Sequence, residues 1–133
     1  MTAQRIDITI EQGADFQQPF PAILDAGGNP VNIMAAAAAL QIRTSLYDPT
    51  AVVTLTTANG GLTASAGGIW VPFIDEDATT ALLPGAYVYD LKMLLSGTTT
   101  RTHQGAATIS GEVTIIVPPA ATSSFSYLLL GVF

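Results

Sequence analysis

Alternation of apolar and polar positions marks several short strands along the chain. From Arg5 to Glu11 the alternation is strict, with three isoleucines on one face and charged or hydroxyl side chains on the other. This is the period of a half-buried strand. The same alternation predicts strands over residues 51–57, 67–74 and 85–95, with turn-forming residues such as Asn59-Gly60-Gly61 between them.

Two further stretches need a choice between structures. Residues 16–24 are apolar but carry two prolines, which cannot donate to a ladder, so an edge or bulged strand is predicted, followed by a turn over residues 25–30. The run from Ala35 to Ala39 has the composition of a helix. Because the segment has no cap at its start and no charge before Arg43, we predict a strand that ends at about Arg43.

One short helix is expected, because Asp75, Glu76 and Asp77 precede residues 78–83 and favour the positive end of a helix dipole. Pro84-Gly85 stops it. Two more strands are predicted over residues 100–110 and 112–117, with Gly105 marking a bulge or a close approach of another backbone.

This series of about seven short strands, one helix and frequent turns predicts an all-β, antiparallel β-sandwich. We divide the chain into a sandwich domain over residues 1–117 and an apolar tail or arm over residues 118–133, separated by Pro118-Pro119. An apolar chain end of this kind needs a covering surface. A partner subunit and a final strand of the same domain remain equal alternatives. The candidate partner-binding residues are Phe125, Tyr127, Leu128, Leu129, Leu130, Val132 and Phe133.

Charge and composition exclude several functional classes. Charged residues make up only 11% of the chain, and the net charge of −6 disfavours nucleic acid and anionic membrane surfaces as partners. The absence of cysteine excludes a thiolate metal site, and the single histidine excludes most zinc geometries. We expect no metal site and no cofactor. No apolar run approaches the roughly 20 residues that cross a bilayer. The first residues lack the pattern of a secretory signal, so synthesis in a cytoplasm is expected.

The residues that usually carry chemistry have structural explanations here. His103 lies between polar neighbours, which favours a solvated strand face over a catalytic base. The acids at 75–77 fit helix capping better than calcium binding. Asp90 and Lys92 fit a same-face charge pair. Trp70, Phe73, Tyr87 and Tyr89 fit a core better than a carbohydrate-stacking platform. We therefore expect a protein without enzymatic activity.

Several segments, in the same order, resemble a group of small structural proteins from tailed bacteriophages and prophages. The segments are residues 7–16 (DITIEQGADF), 28–31 (GNPV), 40–43 (LQIR), 53–60 (VTLTTANG), 83–91 (LPGAYVYDL), Gly105 and 111–114 (GEVT). The resemblance covers residues 6–117 and implies an immunoglobulin-like sandwich, similar to the N-terminal domain of phage upper baseplate proteins. The alanine run and the tail depart from the pattern.

The resemblance implies a virion structural protein that is made in the bacterial host cytoplasm and is a homo-oligomer in the particle. The leading expectation is a tail or baseplate accessory that links a tail component to a fibre or spike. A capsid decoration (cement) protein on the outside of the head is the first alternative. A carbohydrate-binding module is the second, and it requires Trp70 to be accessible to solvent.

Overall fold

The computed structural model describes residues 3–114 and residue 116. Nine strands and one helix follow one another in these ranges: β1 (Gln4–Arg5), β2 (Ile8–Glu11), β3 (Phe16–Gln17), β4 (Ala37–Arg43), β5 (Val53–Thr56), β6 (Leu62–Ser65), β7 (Ile69–Ile74), α1 (Glu76–Thr80), β8 (Gly85–Leu95) and β9 (Thr98–Ser110). The all-β fold with one short helix is confirmed.

Two sheets pack face to face. The larger has the order β1-β9-β8-β4-β5, with β2 also paired to β9, and the smaller has the order β3-β7-β6. Most pairs are antiparallel, but β1 and β2 run parallel to β9. In immunoglobulin nomenclature the order β9-β8-β4-β5 corresponds to strands G-F-C-C′, and β3-β7-β6 corresponds to B-E-D. The domain is therefore an immunoglobulin-like sandwich.

Alternation along the strands places the core between the sheets. On β8, Tyr89, Leu91 and Met93 are buried while Asp90, Lys92 and Leu94 face outward. Trp70 on β7 is completely buried from the opposite side. At the start of β8, the Tyr87 hydroxyl donates to the Leu83 carbonyl at 2.7 Å. This hydrogen bond resembles the tyrosine corner of immunoglobulin-like domains.

The predicted edge strand over residues 16–24 is only partly regular. β3 ends at Gln17, and the chain then follows β7 through single hydrogen bonds from Phe20 N to Trp70 O and from Ile23 N to Gly68 O, each 2.9 Å long. The prolines interrupt the ladder as expected. The turn at 25–30 is confirmed, since the Asp25 carboxylate accepts from the amides of Gly27 and Asn29.

Three strand predictions need correction. The strand expected over residues 5–11 is broken between Arg5 and Ile8 into β1 and β2. β6 was not expected, because its sequence Leu-Thr-Ala-Ser is short and weakly apolar. The strand predicted over residues 112–117 is wrong for 112–114, where the chain has left the sheet. Residue 117 and the predicted partner-binding residues from Phe125 to Phe133 lie outside the described residues.

Gly105 permits the close approach that the sequence predicts. A Cβ atom built at this position would lie 2.2 Å from the carbonyl oxygen of Ile6, and the same oxygen accepts a 2.7 Å hydrogen bond from the Tyr89 hydroxyl. The break between β1 and β2 is bridged by Asp7, whose carboxylate accepts from the Ala106 amide at 3.0 Å. Gly105 thus lets the N-terminal strands pair with β9.

We expect Gly105→Ala to lower the free energy of unfolding by roughly 1–3 kcal/mol, because the added methyl group meets a backbone atom that is itself hydrogen-bonded. Urea titration at neutral pH measures this change. Gly27→Ala is the control, because its Cβ would come no closer than 3.2 Å to a mobile side chain. Equal stability of the two variants would show that the approach of Ile6 does not constrain position 105.

Candidate interaction surface

All four basic residues of the chain lie on the outer face of the larger sheet. They are Arg5 on β1, Arg43 on β4, Lys92 on β8 and Arg101 on β9. Each points away from the core because its strand neighbours point inward. We call this surface the basic face. Two of these four cations are paired with carboxylates of the same face, Arg5 with Asp7 and Arg101 with Asp90.

Two ion pairs on the basic face are exposed. Arg101 Nε lies 3.3 Å from Asp90 Oδ2, and Arg5 Nη2 lies 3.1 Å from Asp7 Oδ1. The predicted partner of Asp90 was Lys92 on the same strand, but its ion pair is with Arg101 on the next strand. Arg101 lies diagonally across the β8–β9 ladder from Asp90, within reach of a long side chain, and the residue directly opposite Asp90 is Gln104. Exposed pairs of this kind stabilise a fold by at most about 1 kcal/mol, so they can exchange partners.

A polar pocket of about 220 Å³ opens at the centre of the basic face. Gln41, Arg43, Asp90, Arg101 and Gln104 supply its polar groups, and Leu46 and Val88 form apolar walls. The Arg43 guanidinium donates to Asp48 O at 2.7 Å and to Gln41 Oε1 at 2.5 Å. Within the described residues Arg43 makes no ion pair with a carboxylate, so the pocket holds one cation that a partner's carboxylate can pair with.

The loop between β4 and β5 rises beside this pocket and exposes two large side chains. Leu46 is 82% exposed and Tyr47 is 92% exposed. Asp48 fixes the loop, because its carboxylate accepts from the Thr44 hydroxyl at 2.6 Å and from the Thr50 amide at 2.9 Å. These hydrogen bonds hold the pKa of Asp48 below its usual value. The loop is therefore ordered before any partner binds, which reduces the entropy cost of binding.

This loop is not among the sites that the sequence predicts. A signal was present, since Leu46-Tyr47 stands directly before Asp48-Pro49, a pair typical of turns, between two well-defined strands. A turn between two strands lies away from the core, so an apolar pair inside it is exposed to solvent. Arginine, tyrosine and leucine side chains on an ordered loop are typical of protein–protein interfaces, in which aromatic residues and arginine are enriched.

His103 lies in the core, which corrects the prediction of a solvated strand face. The ladder between β8 and β9 shifts register at Leu91/Lys92, so Thr102 and His103 both turn inward and both are buried. This is the effect of a β-bulge. The His103 ring packs on Phe20 with centroids 5.1 Å apart.

Both ring nitrogens of His103 have partners. Nε2 lies 3.0 Å from the Pro21 carbonyl, and Nδ1 lies 2.9 Å from the Thr102 hydroxyl. A neutral imidazole that donates from Nε2 and accepts at Nδ1 satisfies both contacts. Burial lowers the pKa of His103 below its usual value of 6.5. Thr102 and His103 are both buried in the core, where a substrate has no access. The role of His103 is therefore structural.

The other candidates from the sequence also have structural roles. Asp75 caps α1, as predicted, by accepting from the Ala78 amide at 2.9 Å. Asp15 adds a second cap by accepting from the Glu76 amide at 2.7 Å. Trp70 and Tyr89 are buried, as predicted, and cannot form a carbohydrate-stacking platform, whereas Phe73 is 38% exposed and is not a core residue. Among residues 3–114 and 116 there is no cluster of three or more histidine, cysteine or carboxylate side chains able to hold a metal ion, and no helix suited to crossing a bilayer.

Comparison with known proteins gives no family assignment. No family model matches the chain, and none of the curated proteins is similar in sequence. Among solved structures, the chain is similar to CopC from Methylosinus trichosporium OB3b, with 12% identity over 87% of this chain and 91% of that one and a TM-score of 0.41. Similarity at that level adds nothing to what the strand order of this chain already shows.

We expect acid to destabilise the protein partly through His103. The unfolded chain takes up a proton on this histidine below about pH 6.5, while the folded chain, with its lowered pKa, resists it. The contribution of His103 is therefore complete above pH 6.5 and is lost as the pH falls toward the folded-state pKa.

The measurement is the free energy of unfolding in urea at pH 7 and at pH 5, for the native chain and for His103→Gln. Glutamine retains a donor and an acceptor but does not titrate, so the variant removes only the histidine's part of the pH dependence. We expect a smaller loss of stability between the two pH values in the variant. An identical loss in both proteins would contradict the buried, neutral state of His103.

Proposed function

We propose that the protein is a non-enzymatic structural component of a tailed-phage particle that joins a tail component to a fibre or spike. The observation that carries its role as an interaction module is the ordered β4–β5 loop, which exposes Leu46 and Tyr47 beside the Arg43 pocket. The assignment of the protein to a phage particle, and the assembly of that particle in a bacterial cytoplasm, rest on the sequence resemblance.

The chemistry of this surface favours a protein partner. Leu46 and Tyr47 together offer apolar area that a partner can bury, and truncation of a tyrosine that is a hot spot at the centre of an interface costs about 2 kcal/mol or more. Arg43 and Gln41 add directional donors for carboxylate or carbonyl groups. The burial of Trp70 removes the main support for the carbohydrate-binding alternative.

The tail residues from Phe125 to Phe133 form the second proposed contact with other virion proteins. Their sequence is apolar and follows two prolines, and in the described part of the chain both sheets are formed by residues 4–110. In this proposal, the domain and the arm bind different neighbours, as a linking protein requires.

The location of the protein in the particle is the direct test. Electron cryo-microscopy of phage particles from cells that express this chain should place a few copies of the sandwich at the tail end. Density over the capsid lattice would instead establish the capsid decoration role and overturn the proposed link to the tail. Particles that lack the chain altogether would overturn both.

The loop's role has a separate test. Leu46→Ala and Tyr47→Ala should each weaken attachment of the protein to the particle by about tenfold or more, while thermal stability stays within about 0.5 kcal/mol of the native chain because neither side chain is in the core. The matched control is Leu83→Ala, since Leu83 is also an exposed leucine, at 74%, but lies near α1. Equal attachment of all three variants would exclude the loop from the interface.

A further inference from the structure

An apolar groove of about 720 Å³ runs along the side of the sandwich. One wall is the edge strand β5 with Val52 and Leu55, and the other is formed by Phe73 on β7 with Ala78 and Leu82 at α1. We call it the side groove. Val52 and Phe73 remain 39% and 38% exposed there. Side chains of this size in an open groove present apolar surface that a further segment can cover.

The backbone of β5 is already protected at this edge. The Asn59 side chain donates from Nδ2 to Thr54 O at 3.1 Å and accepts from Thr56 N at 2.9 Å. It thus takes the place of a neighbouring strand on both groups and blocks the addition of another strand there. An occupant of the side groove must therefore bring apolar side chains, because these backbone hydrogen bonds are already made.

The C-terminal segment has the required chemistry and leaves the domain at the correct place. The Glu112 amide donates to Gln12 Oε1 at 3.2 Å, and Gln12 Nε2 donates to the Leu82 carbonyl at 2.8 Å. Leu82 lines the groove, so the chain departs from one end of it. The residues after this point carry no charged side chain and end in Phe125, Tyr127, three leucines, Val132 and Phe133.

The last described apolar residues are not packed into the groove of their own copy. Val113 is 98% exposed and Ile116 is 80% exposed, although both are apolar and the groove begins nearby. Residues 117–133 reach about 55 Å when fully extended, well beyond the width of a domain of this size, which is about 30 Å. The segment is long enough to reach a neighbouring copy.

We propose that the side groove of one copy binds the C-terminal segment of a second copy through its apolar side chains. This inference rests on the proposed function, because it gives the arm its partner in the assembled particle. Exchange of the segment between copies forms a dimer when it is reciprocal and a ring when it is serial. It also explains why an open apolar groove and an apolar chain end occur in one sequence.

Disulfide trapping tests the proposal, because the chain contains no cysteine of its own. One preparation carries Ala78→Cys in the groove, and a second, made longer by a tag, carries Leu129→Cys in the segment. Mixed under mild oxidation, the two full-length chains should form a disulfide-linked heterodimer. The rate should be at least about tenfold higher than for a pair in which the groove cysteine is replaced by one elsewhere on the surface. The matched control is Ala37→Cys, an exposed alanine on the outer face of β4.

Equal rates for Ala78→Cys and Ala37→Cys would overturn the proposal, as would closure within single chains that carry both Ala78→Cys and Leu129→Cys. Circular dichroism of each variant ensures that only folded protein is compared. The result is separable from the proposed function. If the protein is found in particles but no disulfide is trapped, only the groove contact is overturned. If the disulfide is trapped but the protein is never found in particles, only the structural role is overturned.

Discussion

Side-chain alternation along β8 is the constraint on which the rest of the structure depends. Its inward residues, Tyr89, Leu91 and Met93, are buried between the sheets, and its outward residues include Asp90, which lines the polar pocket. β8 also pairs with β9 on one side and β4 on the other. A slip of one residue would exchange the two faces, so the register that buries the core also builds the surface.

The hydroxyl of Tyr89 links β8 to the chain between the N-terminal strands β1 and β2. It donates to the Ile6 carbonyl, and Gly105 leaves room for that carbonyl against β9. Burial, with the nearby Asp7 carboxylate adding to it, raises the pKa of Tyr89, so the phenol stays a donor at every physiological pH. The Tyr89 hydrogen bond and the absence of a side chain at position 105 thus both support the parallel pairing of β1 and β2 with β9.

The two candidate interaction surfaces lie on different parts of the domain. The basic face and its ordered loop lie on the larger sheet, while the side groove lies along the edge where the two sheets diverge. A subunit with two such surfaces can bind a different neighbour on each. Every basic residue is on the basic face, where two of them pair with carboxylates, whereas the side groove is lined mainly by apolar side chains.

The sequence by itself determined the strands with clear alternation, the capped helix, the turns and the sandwich, because local period and turn chemistry are written in neighbouring residues. The positions of His103 and Arg101 were decided only by the tertiary structure, since a bulge between β8 and β9 changes which side chains face inward without any local signal. The same holds for the pocket and the side groove. Each is built from residues distant in sequence, and only the packing of the strands brings them together.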